Sequence, residues 1–233
     1  MNNFKNISND IWTYDLYIFD LDDTLVKSEF FHYQAWMITL QNELNDNFFS
    51  ISFELFCENF HSKDPNSIKN YVINLLNITQ EDFLNVSKEK NETYIKLLNN
   101  SYKTIEMIDG AEDFLNKILS KEKQFIIVSN SPLNNINFYL ERFPILKNAA
   151  KLYYRELFTN KKPNPECYQM VLKDFPHLIK KIGFEDSITG IMALLQVSEI
   201  LPVFINDEFY THYKTIKTEN PNLLTIKNYF DLI

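Results

Sequence analysis

The sequence predicts an α/β protein, a parallel sheet with helices on both faces, interrupted after its first strand by an all-helical insert. Three observations carry this. An apolar run, LYIF at 16–19, ends abruptly in three carboxylates at 20, 22 and 23. Residues 29–100 show helical periodicity with no convincing strand, whereas from about residue 108 short apolar runs alternate with amphipathic helices. Those later runs are too continuously apolar to face water on one side, as expected of parallel strands covered on both faces.

Taken in order, the first strand is LYIF. The insert then reads as helices SEFFHYQAWMITLQNEL, ISFELFCENF, NSIKNYVINLL and TQEDFLNVSKEKNETYIKLLNN, the last opening on a Thr79-x-x-Asp82 cap. Beyond it come helix AEDFLNKILSK, strand QFIIVS, helix LNNINFYLERF, strand KLYYREL, helix PECYQMVLKDF, strand KIGFE, helix TGIMALLQV, strand LPVFI, and strand LLTI before a terminal helix. The economical division is a Rossmann-like α/β core from residues 1–27 and 107–233, with a helical domain at 28–106. At 233 residues the chain, whether one large domain or a main domain carrying an insert, can bury a sizeable core without disulfides.

Composition narrows the function. Hydrophobic residues make up 45% and charged residues 23%, an ordinary globular balance. A net charge of −8 and a pI near 5.1 leave no basic footprint for nucleic acid or anionic membrane. The two cysteines, Cys57 and Cys167, form no metal-binding pattern and read as free thiols of a reducing compartment. No leader-like or membrane-spanning apolar run is expected, so the reading is cytoplasmic. Only three glycines occur, against a usual frequency of roughly 7%. Glycine-rich phosphate loops are therefore excluded, and phosphate chemistry needs another device.

In an open parallel sheet ligands bind beyond the carboxyl ends of the strands. Those positions hold Asp20, Asp22, Asp23 and Thr24 after LYIF, and Ser129 and Asn130 after FIIV. Lys162 follows the REL strand, and Glu185 and Asp186 follow KIGF. Clustered carboxylates suit a hard, oxygen-coordinated cation such as Mg²⁺, while a lysine and a hydroxyl hold phosphate oxygens. Alternation along an extended segment puts Asp20 and Asp22 on one side, so that one can attack phosphorus while the other carries a proton.

The ordered segments FDLDDTL, VSNS, KKPNPECY and FEDSITGIMA resemble the four motifs of the haloacid dehalogenase (HAD) superfamily. The resemblance is to members with a helical C1 cap inserted after the first motif, which include phosphatases and β-phosphoglucomutase. It implies Asp20 as the nucleophile that forms an aspartyl-phosphate and Asp22 as the acid that protonates the leaving oxygen and then activates water. Ser129 and the backbone N–H of Asn130 would hold the phosphoryl group, and Lys162 would neutralise charge between it and Asp20. Asp20, the Asp22 carbonyl and Asp186 would bind Mg²⁺, with Glu185 near the ion directly or through water. Thr24 would fix the turn.

Other positions stay open. His32, on the first insert helix, can sit near the proton-transferring acid or simply be packed. Trp36 reads as core. Asp23 reads as an exposed turn acid. The loop FHSKDPNS, where relatives place substrate-selecting residues, offers only His61 and Lys63. That loop lacks the glycine and arginine of mutase-like relatives, so hydrolysis of a small phosphorylated metabolite is expected ahead of a phosphomutase reaction. Asp22 itself argues against dehalogenation, since a departing halide needs no proton. A non-catalytic binding protein on the same fold is the remaining alternative.

Overall fold

A computed structural model describes residues 10–44, 51–60, 65–205, 219–220 and 223–233, apart from the side chains of 57–59 and 65. The chain divides into two compact units, Met1–Lys27 with Glu106–Ile233, and Ser28–Ile105.

The first unit is built on a six-stranded, all-parallel sheet in the order β3-β2-β1-β4-β5-β6. Its strands are β1 Leu16–Phe19, β2 Gln124–Val128, β3 Leu152–Tyr153, β4 Lys181–Glu185, β5 Ile200–Ile205 and β6 Leu224–Ile226. β1 is central, with Ile18 in register with Ile126 of β2 on one side and Gly183 of β4 on the other. Chain direction across the sheet reverses between β1 and β4, and a crevice opens at such a point.

Both faces are covered, which is why β1 and β4 are buried along their whole length. Successive side chains point to opposite faces. Leu16 and Ile18 pack with Ile126, Val128, Val171, Ile191 and Leu194 on one. Tyr17 and Phe19 meet Phe114 on the other, where Phe19 also stacks on Phe184 at 4.8 Å between ring centroids. Gly183 lets a helix lie close, since a Cβ there would stand 2.8 Å from a Leu194 methyl.

One expected strand is mostly absent. KLYYREL yields only the two residues of β3, followed by a 3-10 turn at Arg155–Leu157. β3 is an edge strand paired with β2 alone. Just past it the Arg155 N–H donates to the Ser131 carbonyl at 3.1 Å and its Nε to the Asn130 carbonyl at 3.1 Å, wrapping the chain around the turn after β2. The expected terminal helix is likewise a single 3-10 turn, Tyr229–Leu232, capped by Asn228.

The second unit is helical: α1 Glu29–Leu44, α2 Phe53–Asn59, α3 Pro65–Leu76 and α4 Gln80–Asn100. α4 begins with the anticipated capping box, in which the Thr79 hydroxyl accepts from the Asp82 N–H and the Asp82 carboxylate accepts from the Thr79 N–H. Stacked, tilted or edge-on rings of Tyr33, Phe53, Phe56, Phe60 and Trp36 knit α1 to α2. The core unit continues with α5 Ala111–Ser120, α6 Leu133–Arg142, α7 Glu166–Asp174 and α8 Ile188–Leu195. Among the described residues no helix is long and apolar enough to cross a membrane.

Candidate active site

The carboxyl ends of β1, β2 and β4 converge on Lys162, whose side chain is only 3% exposed. Its ammonium donates to Asp20 Oδ1 at 2.7 Å, to the Val128 carbonyl at 2.6 Å and to Glu185 Oε1 at 2.6 Å. Those three bonds use its three protons. Burial alone would pull the ammonium down, but Asp20 and Glu185 outweigh it and hold it above its ordinary value. The fully buried Tyr168 hydroxyl, from α7, donates to the same Glu185 oxygen.

Asp20, Glu185 and Asp186 are all buried, and each offers one carboxylate oxygen within 4.8 Å of the others. Burial pushes Asp20 up to about 8, assisted by Glu185 and Asp22 and opposed by Lys162. It also raises Glu185, and raises Asp186 strongly, with the charges of Asp20, Asp23 and Glu185 adding to it and the Thr24 hydroxyl bond at 2.9 Å opposing. Glu185 Oε2 is buried without a hydrogen-bond partner. Three desolvated carboxylates around one ammonium make a donor set short of positive charge. That is what a hard divalent cation such as Mg²⁺ fits, and these residues would hold it.

Asp22 stands in a second group. Its Oδ2 accepts from the Ser131 hydroxyl at 2.5 Å and from the Ser129 hydroxyl at 3.5 Å, and its Oδ1 accepts from the Tyr139 hydroxyl at 3.3 Å. Ser129 Oγ in turn accepts from the Ser131 N–H at 2.9 Å. The Asn130 side chain ties the β2 turn to the Lys162 segment, accepting from the Lys162 N–H at 3.2 Å and donating to its carbonyl at 3.4 Å.

A family profile described as haloacid dehalogenase-like hydrolase matches residues 14–197, a span that contains every one of these groups. The chain belongs to the haloacid dehalogenase-like hydrolases. Solved structures of similar fold include a HAD hydrolase, family IA, variant 3, from Entamoeba histolytica, 20% identical with a TM-score of 0.77 and covering 94% of this chain and 95% of that one. A β-phosphoglucomutase from Clostridium difficile is 21% identical with a TM-score of 0.70, covering 94% and 93%. A predicted phosphoglycolate phosphatase from Haemophilus somnus is 17% identical with a TM-score of 0.73, covering 94% and 96%. At these identities the likeness is one of fold. No curated protein matches the sequence.

Within this HAD-like hydrolase the structure gathers Asp20, Thr24, Lys162, Glu185 and Asp186 into one linked cluster, and brings Ser129 against Asp22 beside it. Asn130 is bound to Lys162 through its side chain. Asp23 departs from the expected exposed turn acid. It is half-buried and left-handed, with φ at 51°, and its N–H donates to the Val26 carbonyl at 2.8 Å, so it closes the turn. His32 belongs to the helical unit, where its ring stacks on Tyr94 at 4.0 Å and its Nδ1 lies 2.7 Å from the buried Lys90 ammonium. Lys63 and His61 lie outside the described residues.

Sequence reasoning missed Tyr168 and Tyr139. The two tyrosines occupy the buried stripes of α7 and α6, alongside Val171 and Ile136. A tyrosine in such a stripe must find a partner for its hydroxyl, and that was the available signal.

Proposed function

We propose that this hydrolase is a Mg²⁺-dependent phosphomonoesterase acting on a small phosphorylated metabolite in the cytoplasm. What carries the reading is the buried carboxylate Asp20 held on Lys162, with a second acid, Asp22, two residues on. Asp20 attacks phosphorus and the bond to the leaving oxygen breaks, while Asp22 gives that oxygen its proton. Water then attacks the aspartyl-phosphate, Asp22 takes the water's proton, and the bond from phosphorus to Asp20 breaks to release phosphate. Lys162 offsets charge at Asp20. Ser129 and the Asn130 N–H hold phosphoryl oxygens. Asp20, Asp186, Glu185 and the Asp22 carbonyl would hold Mg²⁺, which would supply charge neutralisation at the phosphoryl group. The helical unit, 28–106 in the sequence division, acts as a cap that selects the substrate, with His32 and Lys63 as contributors.

Asp20→Asn is expected to lower turnover of p-nitrophenyl phosphate with Mg²⁺ by at least about 10³-fold. Unchanged turnover would sink the reading, and a wild-type protein inert on a panel of phosphate esters would favour the non-catalytic alternative. A β-phosphoglucomutase-like reaction is the second reading, supported by the buried Lys90 ammonium beside the half-buried His32, a basic group suited to a second phosphate. Glucose 1-phosphate separates the two: free phosphate means hydrolysis, glucose 6-phosphate means mutation.

A further inference from the structure

We infer that Ser131 and Tyr139 are positioning residues for Asp22, forming with Ser129 a hydroxyl clamp that aims its carboxyl group through both proton transfers. The inference rests on Asp22 being the acid and base of the proposed reaction. Tyr139 is fully buried on α6, and its hydroxyl reaches the oxygen of Asp22 opposite the one that Ser131 and Ser129 approach. Both oxygens are thus restrained, and with them the rotation of the carboxyl group. The clamp is itself fixed. The Ser131 N–H is bonded to Ser129 Oγ, the Ser131 carbonyl accepts from the Arg155 N–H, and Tyr139 sits in the buried stripe of α6 with Asn135 and Ile136.

The chemical type of the partners suits the task. Asp22 has to exist with a proton before leaving-group departure and without one before water attack. A lysine or arginine at these distances would favour only the ionised form. A hydroxyl donates to a carboxylate and, by turning about its C–O bond, accepts from a carboxylic acid, so the clamp serves both states without moving heavy atoms. Ser129 has a further part, since the same hydroxyl is assigned to phosphoryl oxygens. As the substrate draws it away, Ser131 and Tyr139 keep Asp22 in place.

The test uses the full-length, Mg²⁺-loaded protein and aryl phosphates ranging from p-nitrophenyl, whose leaving group needs little protonation, to p-methoxyphenyl, whose leaving group needs more. A fold defect lowers kcat/KM alike across the series; a misaimed acid lowers it more as the leaving group becomes poorer. Tyr139→Phe removes one oxygen and is expected to steepen the dependence, costing about tenfold more for p-methoxyphenyl than for p-nitrophenyl phosphate. Ser131→Ala should steepen it too, and Ser131→Thr, which keeps the hydroxyl, should restore the shallow dependence. Asp22→Asn sets the limit, the steepest of all. Uniform losses in the Tyr139 and Ser131 variants beside a steep Asp22→Asn would overturn the clamp and leave the phosphatase reading standing. A dependence unaltered in Asp22→Asn would overturn the role of Asp22 and the clamp together.

Discussion

At the scale of single residues, Lys162 decides whether the site can exist without a cation. Its ammonium is the neighbour that lowers the proton affinity of both Asp20 and Glu185. Breaking a buried pair by removing one partner costs about 3–5 kcal/mol, because the other charge stays buried and uncompensated. Above about pH 8, where Asp20 is ionised, Lys162→Met is therefore expected to lose that much stability to urea. Adding Asp20→Asn to it should recover about 1 kcal/mol or more, since the amide needs no counter-charge. Additive losses in the double variant would show that Lys162 acts through packing. The carboxylates and hydroxyls at the ends of β1, β2 and β4 were legible in the sequence because each group follows an apolar run, whereas Lys162 follows a 3-10 turn and a polar loop beyond β3. The partners of Asp22 were not legible. Tyr139 is 117 positions away, and its spacing from Ile136 reads equally well as a plain core stripe.

At the scale of elements, the first turn of α8 is fitted to the end of β4. A Cβ on Gly190 would stand 1.9 Å from Glu185 Oε2, while the other carboxylate oxygen is pinned by Lys162 and Tyr168. Two effects oppose each other in Gly190→Ala. Helix propensity favours alanine by about 1 kcal/mol, and overpacking a filled site costs about 1–3 kcal/mol. With the carboxylate held on its far side the clash should win. The variant is expected to be less stable in urea denaturation and to bind Mg²⁺ several-fold more weakly by titration calorimetry. A more stable variant with unchanged Mg²⁺ affinity would show that Glu185 moves freely. Element types were legible where strands were central, as in β1, β2 and β4, whose apolar runs are continuous. The edge strand β3 was overread because aromatic, β-prone KLYYREL carries no sign of the turn that its backbone bonds to Ser131 impose.

At the scale of the whole molecule, the raised carboxylates link stability to pH. Asp20 titrates at about 8 in the fold against an ordinary 3.8, so between these values the metal-free fold keeps a proton that the unfolded chain has released. Stability of the metal-free protein should then fall as pH rises from about 4 to 8, by up to about 1.4 kcal/mol per pH unit for each such proton. Glu185 and Asp186 act in the same direction. Mg²⁺ bound by these carboxylates would displace the proton and remove that dependence. Thermal melts at pH 5 to 8 should show Tm declining in EDTA and a flatter course with Mg²⁺. Parallel courses would show that these groups hold no cation.

The passage from core to helical unit has a consequence for chain entropy. Lys27 and Glu106 face each other where the chain leaves and re-enters the core. The Lys27 N–H donates to the Glu106 carbonyl at 3.0 Å, Val26 bridges Met107 in antiparallel fashion, and the Lys27 ammonium pairs with Glu106 and Asp109. To the core, everything between is a single closed loop of about 80 residues. Closure cost grows only with the logarithm of loop length, about 0.6 kcal/mol for each doubling. Once that gateway is tied, the core is nearly indifferent to the size of what it carries, and the helical unit is free to be enlarged or trimmed while β1 and Asp20 stay as they are.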